Sequence, residues 1–145
     1  MKQRIAYPSN YDIYVGIDAG VNTGVAIYHK NDKSLQLYTM NIYDAISKVI
    51  ELSTTHRIYV VIEDARQRKY YGSNAGTQAL QGVGSIKRDC TIWDETMQSK
   101  GINYIMVHPI KGGTKLDANI FKKITGYSNR CSSHARDAAM LVYGL

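Results

Sequence analysis

The feature that most constrains the fold is the stretch 14–24, which reads YVGIDAGVNTG. It predicts a strand that ends at Asp18, a turn punctuated by glycines, and a second strand from about 24 onward. Alternation places Val15 and Ile17 on one face of the first strand and Asp18 on the other. An acidic residue at a strand end is most often a turn-former or a helix cap. Asp18 therefore gains functional meaning only if other acids reach the same place.

Hydrophobic periodicity predicts a mixed α/β sheet with helices on both faces, formed as a single domain over residues 1–145. Residues 1–12 are predicted to be a loosely ordered lead-in. The apolar, β-branched run 57–63 is predicted to be a buried central strand parallel to the first. The other predicted elements are strands at about 13–18, 24–29, 34–39 and 102–107, helices at about 43–54, 77–99 and 116–125, and a final helix starting after Ser132 or Ser133.

Two glycines, Gly82 and Gly84, interrupt the helix predicted at 77–99. Each costs about 1 kcal/mol relative to alanine in a helix interior. They therefore predict a close approach of another backbone, from protein or ligand, to this helix. The exposed side of the same helix is the predicted dimer surface.

The net charge of +6 and the isoelectric point of about 9.3 favour an anionic partner, most commonly nucleic acid. No apolar run approaches the roughly 18 residues that span a bilayer, and the first residues lack the apolar core of a signal peptide. No membrane association is expected, and the predicted location is cytoplasmic, in a bacterial host if the chain is phage-encoded. Cys90 and Cys131 show neither metal-ligand spacing nor a disulfide framework.

Two further acids, Glu63 and Asp137, stand where they can join Asp18. If the strands that end at Asp18 and Glu63 are adjacent and parallel, both carboxylates lie at the carboxyl edge of the sheet, where ligands of open α/β sheets bind. His134 and Asp137 lie at i and i+3 of the last helix and share one of its faces. The pattern predicts that four polar side chains converge at this edge.

Carboxylates held close together repel, so either one takes up a proton or a divalent cation neutralises the group. Carboxylate oxygens completed by water suit Mg²⁺ or Mn²⁺. Two such ions about 4 Å apart activate a water and stabilise the leaving oxygen of a phosphodiester. Convergence would therefore make the chain a nuclease. Each residue also has a structural interpretation: Glu63 as a loop cap, Asp137 as a partner of Arg130 or Arg136, and His134 as a helix-start residue.

Three motifs resemble a known family: GIDAGVNTG at 16–24, IE at 62–63 and HARDAA at 134–139. Together they are similar to the RuvC-type Holliday junction resolvases of the ribonuclease H-like superfamily, most closely to the phage and viral versions. The resemblance covers about residues 13–144 and extends to the order of the elements. It implies a five-stranded ribonuclease H-like sheet of order 3-2-1-4-5, a homodimer, and metal-dependent paired nicking of four-way DNA junctions.

The resemblance also implies residue roles. Asp18, Glu63 and Asp137 would be the ligands of Mg²⁺ or Mn²⁺, with two ions in each active site. His134 stands where the family carries an Asp or a His, which makes it a fourth ligand or a proton-transfer group. Water is the attacking nucleophile.

The segment 64–76 is rich in glycine, basic and aromatic. In the family the corresponding loop places an aromatic ring at the junction centre, and base stacking is tolerant of sequence. Basic side chains beside the ring would hold phosphates; the alternative is a solvated loop without a partner. The implied DNA contacts are Arg66, Arg68, Lys69, Tyr70, Tyr71, Lys111 and Lys115. Which tyrosine stacks stays open, and the Gly-Gly loop around the last two lysines departs from the family pattern.

Three other functions compete with junction resolution. Nucleotide-binding kinases and actin share the Asp-x-Gly and Thr-Gly pattern, but they close two lobes over ATP and 145 residues supply one. Another ribonuclease H-like nuclease, such as the YqgF-like family linked to ribosomal RNA processing, would act on branched DNA or structured RNA. A junction-binding module that does not cut is the third alternative, against which the intact acids argue.

Overall fold

The computed structural model describes residues 6–67, 77–109 and 116–145, with side chains omitted for 77–83. Its elements follow the predicted order, and a 3-10 turn at Ala65–Gln67 follows the fourth strand. They are β1 (Ile13–Asp18), β2 (Thr23–His29), β3 (Ser34–Met40), α1 (Ile42–Thr55), β4 (Ile58–Glu63), α2 (Thr77–Lys100), β5 (Tyr104–Val107), α3 (Ala118–Thr125) and α4 (Ser133–Val142).

The five strands form one sheet in the order β3-β2-β1-β4-β5. β1 pairs with β2, and β2 with β3, in antiparallel fashion, whereas β1 with β4 and β4 with β5 are parallel. The structure therefore confirms the predicted mixed sheet of order 3-2-1-4-5. Because β1 and β4 are adjacent and parallel, their carboxyl ends lie at the same edge of the sheet. This is the condition under which Asp18 and Glu63 were expected to meet.

Each face of the sheet carries its own hydrophobic core. On one face, Ala45 and Val49 of α1 and Trp93 and Met97 of α2 pack against alternate residues of β1, β2 and β4. On the other face, α3 and α4 pack against the intervening residues of the same strands. The members of this second core include Tyr14, Ala26, Tyr28, Val61, Phe121, Ala138, Ala139 and Val142. Helices cover both faces, as predicted.

Side-chain contacts anchor part of the predicted lead-in within residues 7–12, while residues 1–5 lie outside the described residues. Tyr11 is buried, its hydroxyl accepts a hydrogen bond from Asn103 Nδ2 at 2.7 Å, and Arg57 lies over its ring at 4.7 Å. The hydroxyl of Tyr14 donates to the carbonyl of Pro8. An aromatic cluster at the amino-terminal edge of the sheet thus holds this segment, which polar composition alone did not reveal.

The long helix α2 ends as its sequence predicts, with Gly101 at φ +65. The amide of Ile102 donates to the carbonyl of Met97 at 3.1 Å, which closes the helix in a Schellman motif. Among the described residues outside its own stretch of helix, no heavy atom lies within 4 Å of a Cβ placed on Gly84, so they do not supply the predicted close approach. The surroundings of Gly82 lie outside the description.

None of the helices within the described residues has the length and apolar character needed to cross a membrane.

Candidate functional site

Asp18 and Glu63 face each other at the carboxyl ends of two adjacent parallel strands. The register of β1 and β4 pairs Asp18 directly with Glu63, as the last residue of each strand. Neighbouring strands lie about 4.8 Å apart, so side chains in register on one face are close neighbours. Both residues are half-buried at the rim of the sheet. The structure therefore brings these two acids together.

Both carboxylates belong to the face that carries α4. Alternation along β1 places Asp18 on the same side as Gly16, whose Cα lies against the carbonyl of Ala138 in α4. In β4 the same rule places Glu63 on the side of Val61, a member of the core that includes Ala138. The acids thus stand beside the helix that supplies His134 and Asp137.

Two glycines determine how closely α4 approaches the sheet. A Cβ on Gly24 would meet the carbonyl oxygen of His134 at 2.0 Å, and a Cβ on Gly16 would meet that of Ala138 at the same distance. The backbone of α4 therefore lies directly on β1 and β2, which only glycine permits. Gly24 pairs with Asp18, so this contact seats His134 beside the first acid.

His134 contacts Asp18 through its Nδ1 atom, 3.2 Å from Oδ2. The histidine lies in the first turn of α4, which Ser132 caps by accepting a hydrogen bond from the amide of Ala135 at 3.1 Å. The imidazole side chain is 41% exposed and the Asp18 side chain 19%. This arrangement lets the imidazole orient the carboxylate while staying accessible to a molecule at the sheet edge.

Asp137 follows His134 by one helical turn, on the flank of α4 that faces away from β3. Ala135 on the opposite flank lines a groove with Leu37 and Thr39 of β3. The Asp137 side chain has no hydrogen bond or ion pair with another described residue. Its alternative partner Arg136 instead donates to the carbonyls of Leu116 and Cys131, at 3.0 and 2.9 Å.

The oxygen-bearing side chains at the carboxyl edge of the sheet indicate whether a divalent cation could bind there. Mg²⁺ is commonly held by one or two carboxylates, with water and substrate phosphate completing its shell. Asp18 and Glu63, paired in register, match that requirement. Within the described ranges no three His, Cys, Asp or Glu side chains stand close enough to hold an ion together. The chain therefore offers two strand carboxylates in place, and the predicted convergence of Asp137 with them is not seen.

An acid that the sequence analysis overlooked, Asp64, organises the turn after Glu63. Asp64 is 4% exposed, and its carboxylate accepts hydrogen bonds from the backbone amide and side chain of Arg66 and from Gln67. Burial by itself raises the pKa of Asp64, but these hydrogen bonds outweigh it and hold the pKa below its ordinary value. The signal available in the sequence was the Asp-x-Arg spacing directly after a strand.

Arg66 was predicted to hold DNA phosphate, and the structure gives it protein partners. Its guanidinium lies 2.8 Å from Asp64 and 2.9 Å from Asp94 of α2. Its Nη1 atom lies outside both ion pairs and donates to Thr91 Oγ1 at 3.4 Å. The other predicted DNA contacts lie outside the described residues: Arg68, Lys69, Tyr70, Tyr71, Lys111 and Lys115.

Cys90 is buried, and its thiol donates to the carbonyl of Glu63 at 3.8 Å. Burial raises the pKa of this thiol, which disfavours the thiolate. Both observations fit a role in core packing.

No protein-family model matches this chain, and no curated protein matches it significantly.

Proposed function

We propose that this protein is a metal-dependent, structure-specific endonuclease that resolves four-way DNA junctions by paired nicks. The observation that carries the proposal is the pairing of Asp18 with Glu63 at the ends of adjacent parallel strands, with His134 held against Asp18. Two carboxylates and an imidazole at one half-buried edge suit general acid–base chemistry at a phosphodiester. The ribonuclease H-like strand order around them supports the same assignment.

In this proposal Asp18 and Glu63 would hold Mg²⁺ or Mn²⁺. The assignment of Asp137 as a further ligand rests on the family resemblance, because the described residues do not bring it together with the two strand acids. When bound, divalent cations supply Lewis-acid stabilisation of the phosphodiester and activate the attacking water. His134 orients the Asp18 carboxylate through Nδ1 and can move a proton at the same edge. The amino-terminal end of α4 adds a favourable field for the anionic substrate.

The proposed substrate rests on charge and on the family resemblance. A net charge of +6 favours a polyanion, and the motifs around Asp18, Glu63 and Asp137 resemble those of RuvC-type resolvases. A homodimer would present two such sites, one for each strand to be nicked. A cytoplasmic location stays a prediction of the sequence.

The decisive experiment offers one protein preparation four labelled substrates: a synthetic four-way junction, a linear duplex, a 5′ flap and a structured RNA. Each is incubated with Mg²⁺, with Mn²⁺ and with EDTA. We expect paired nicks in the junction alone, and only with metal. Preferential cleavage of the RNA would favour a YqgF-like nuclease, and tight junction binding without cleavage would favour a binding module.

The site itself is tested by Asp18→Asn, with Asp12→Asn as the matched control. Asp12 is exposed and lies immediately before β1, at the end of the strand opposite to Asp18. Both variants therefore remove one negative charge by the same Asp-to-Asn change. We expect Asp18→Asn to abolish cleavage while junction binding persists, and Asp12→Asn to cut like the parent. If Asp18→Asn cuts as fast as the parent, the proposed site is wrong.

A further inference from the structure

Charged side chains beside the candidate site connect three elements of the fold. The guanidinium of Arg66 donates from Nε and Nη2 to the two oxygens of Asp64, at 2.8 and 3.0 Å. Nη2 also donates to Asp94 Oδ2 on α2, at 2.9 Å. The other oxygen of Asp94 accepts from the hydroxyl of Tyr104 on β5. We call Asp64, Arg66 and Asp94 the arginine clamp.

The arginine clamp is a poor site for a phosphate. The hydrogen bonds that Arg66 donates to Asp64 raise the pKa of Arg66, while those that Asp94 accepts from Tyr104 and Arg66 lower the pKa of Asp94. All three members are therefore charged at neutral pH, one positive against two negative. The Asp64 side chain is 5% exposed, so its charge depends on Arg66 for neutralisation. A phosphate that approaches Nη1 of Arg66, which donates to Thr91 Oγ1 at 3.4 Å, would meet a cluster whose net charge is already negative.

The clamp lies directly against the residue that supplies the second acid. Asp64 follows Glu63, and its amide donates to the carbonyl of Val107 at 2.8 Å, which extends the β4–β5 pairing by one residue. The carbonyl of Glu63 accepts from the Cys90 thiol on α2. The position of Glu63 is thus determined by the same helix and strand that the clamp ties together.

We infer that Arg66 is a positioning residue, which locks the turn after β4 to α2 and so holds the Glu63 carboxylate opposite Asp18. This inference rests on the proposed function, in which Glu63 is a metal ligand. It replaces the phosphate-binding role that the sequence suggested for Arg66. Removing a residue that orients a metal ligand without touching the metal typically lowers metal affinity by about tenfold to a hundredfold.

The test compares Arg66→Met, Asp94→Asn and the double variant with the parent. Glu95→Gln is the matched control, since Glu95 is an exposed acid next to Asp94 on the same helix. For each protein we would measure the Mg²⁺ concentration for half-maximal junction cleavage, kcat and KM, and junction affinity against salt in Ca²⁺ or EDTA. Thermal unfolding with and without Mg²⁺ supplies a readout that does not depend on cleavage.

If Arg66 positions Glu63, both single variants need about tenfold more Mg²⁺ and lose kcat more than junction affinity. The double variant needs no more Mg²⁺ than the more impaired of the two single variants, because both substitutions break the same contact between Arg66 and Asp94. Arg66→Lys does not restore the parental Mg²⁺ requirement, since an ammonium group lacks the planar set of donors with which the guanidinium bridges Asp64 and Asp94. Glu95→Gln behaves like the parent.

If Arg66 instead binds phosphate, Arg66→Met lowers the salt slope of binding by about one unit and Asp94→Asn tightens binding by freeing the guanidinium. That result overturns the inference. So does a lower melting temperature in Arg66→Met with parental Mg²⁺ dependence, which would make the clamp purely structural. A parent that neither cuts junctions nor responds to Mg²⁺ refutes the proposed function itself, whereas an active parent with an unchanged Arg66→Met refutes only the inference.

Discussion

The closest contact between α4 and the sheet gives a prediction whose size can be worked out from distances. In Gly24→Ala the new Cβ would lie 2.0 Å from the carbonyl oxygen of His134, 2.4 Å from its carbonyl carbon and 3.0 Å from the amide of Ala135. All three atoms are backbone, so no side-chain rotation relieves the clash. To restore ordinary contact, the first turn of α4 must move by more than about 1 Å.

Overpacking of this kind costs typically about 1–3 kcal/mol, and a clash with helix backbone belongs at the upper end. A loss of about 3 kcal/mol lowers the melting temperature of a chain of this size by about 10 °C. The same movement opens the 3.2 Å contact between His134 Nδ1 and Asp18. Under the proposed function, junction cleavage then falls by about tenfold to a hundredfold.

The assay is thermal unfolding followed by circular dichroism, together with junction cleavage, and the matched control is Gly84→Ala. Among the described residues nothing lies within 4 Å of a Cβ on Gly84, which is inside α2. The same chemical change there should stabilise the protein by about 1 kcal/mol, or about 3 °C. If Gly24→Ala melts within 1 °C of the parent, or if the two variants shift in the same direction, the packing argument is refuted.

Three further predictions concern charge. Mg²⁺ should raise the melting temperature of the parent by mass action but not that of Glu63→Gln, and an equal rise in both would contradict metal binding at Glu63. Burial raises the pKa of Asp89, so its charge destabilises the fold at neutral pH; Asp89→Asn should melt higher at pH 7, with a gain that disappears below about pH 4. Junction affinity should fall steeply with salt, whereas a flat response would argue against phosphate contacts.

Much of the framework could be predicted from short stretches of sequence. Apolar, β-branched runs that stop at an acidic residue indicate the ends of β1 and β4, and therefore the positions of Asp18 and Glu63 at strand ends. A left-handed Gly101 and a capping Ser132 mark helix termini through contacts within a few residues. These features can be predicted from sequence because strand periodicity and helix capping depend on residues only a few positions apart.

The candidate site depended on contacts between distant parts of the chain. The pairing of Asp18 with Glu63 requires two strands 45 residues apart to lie in one register, and no local pattern specifies which strands are neighbours. Gly24 acquires its meaning only from the helix carbonyl that rests on it. Arg66 looks like a free cation in a basic segment until Asp94, 28 residues later, comes within 2.9 Å. Local sequence patterns determined the secondary structure of most segments, and tertiary packing decided which charged side chains meet. The reason is that the charge of a side chain can be read from its residue type, whereas its partner depends on which distant residues the fold brings within a few ångströms.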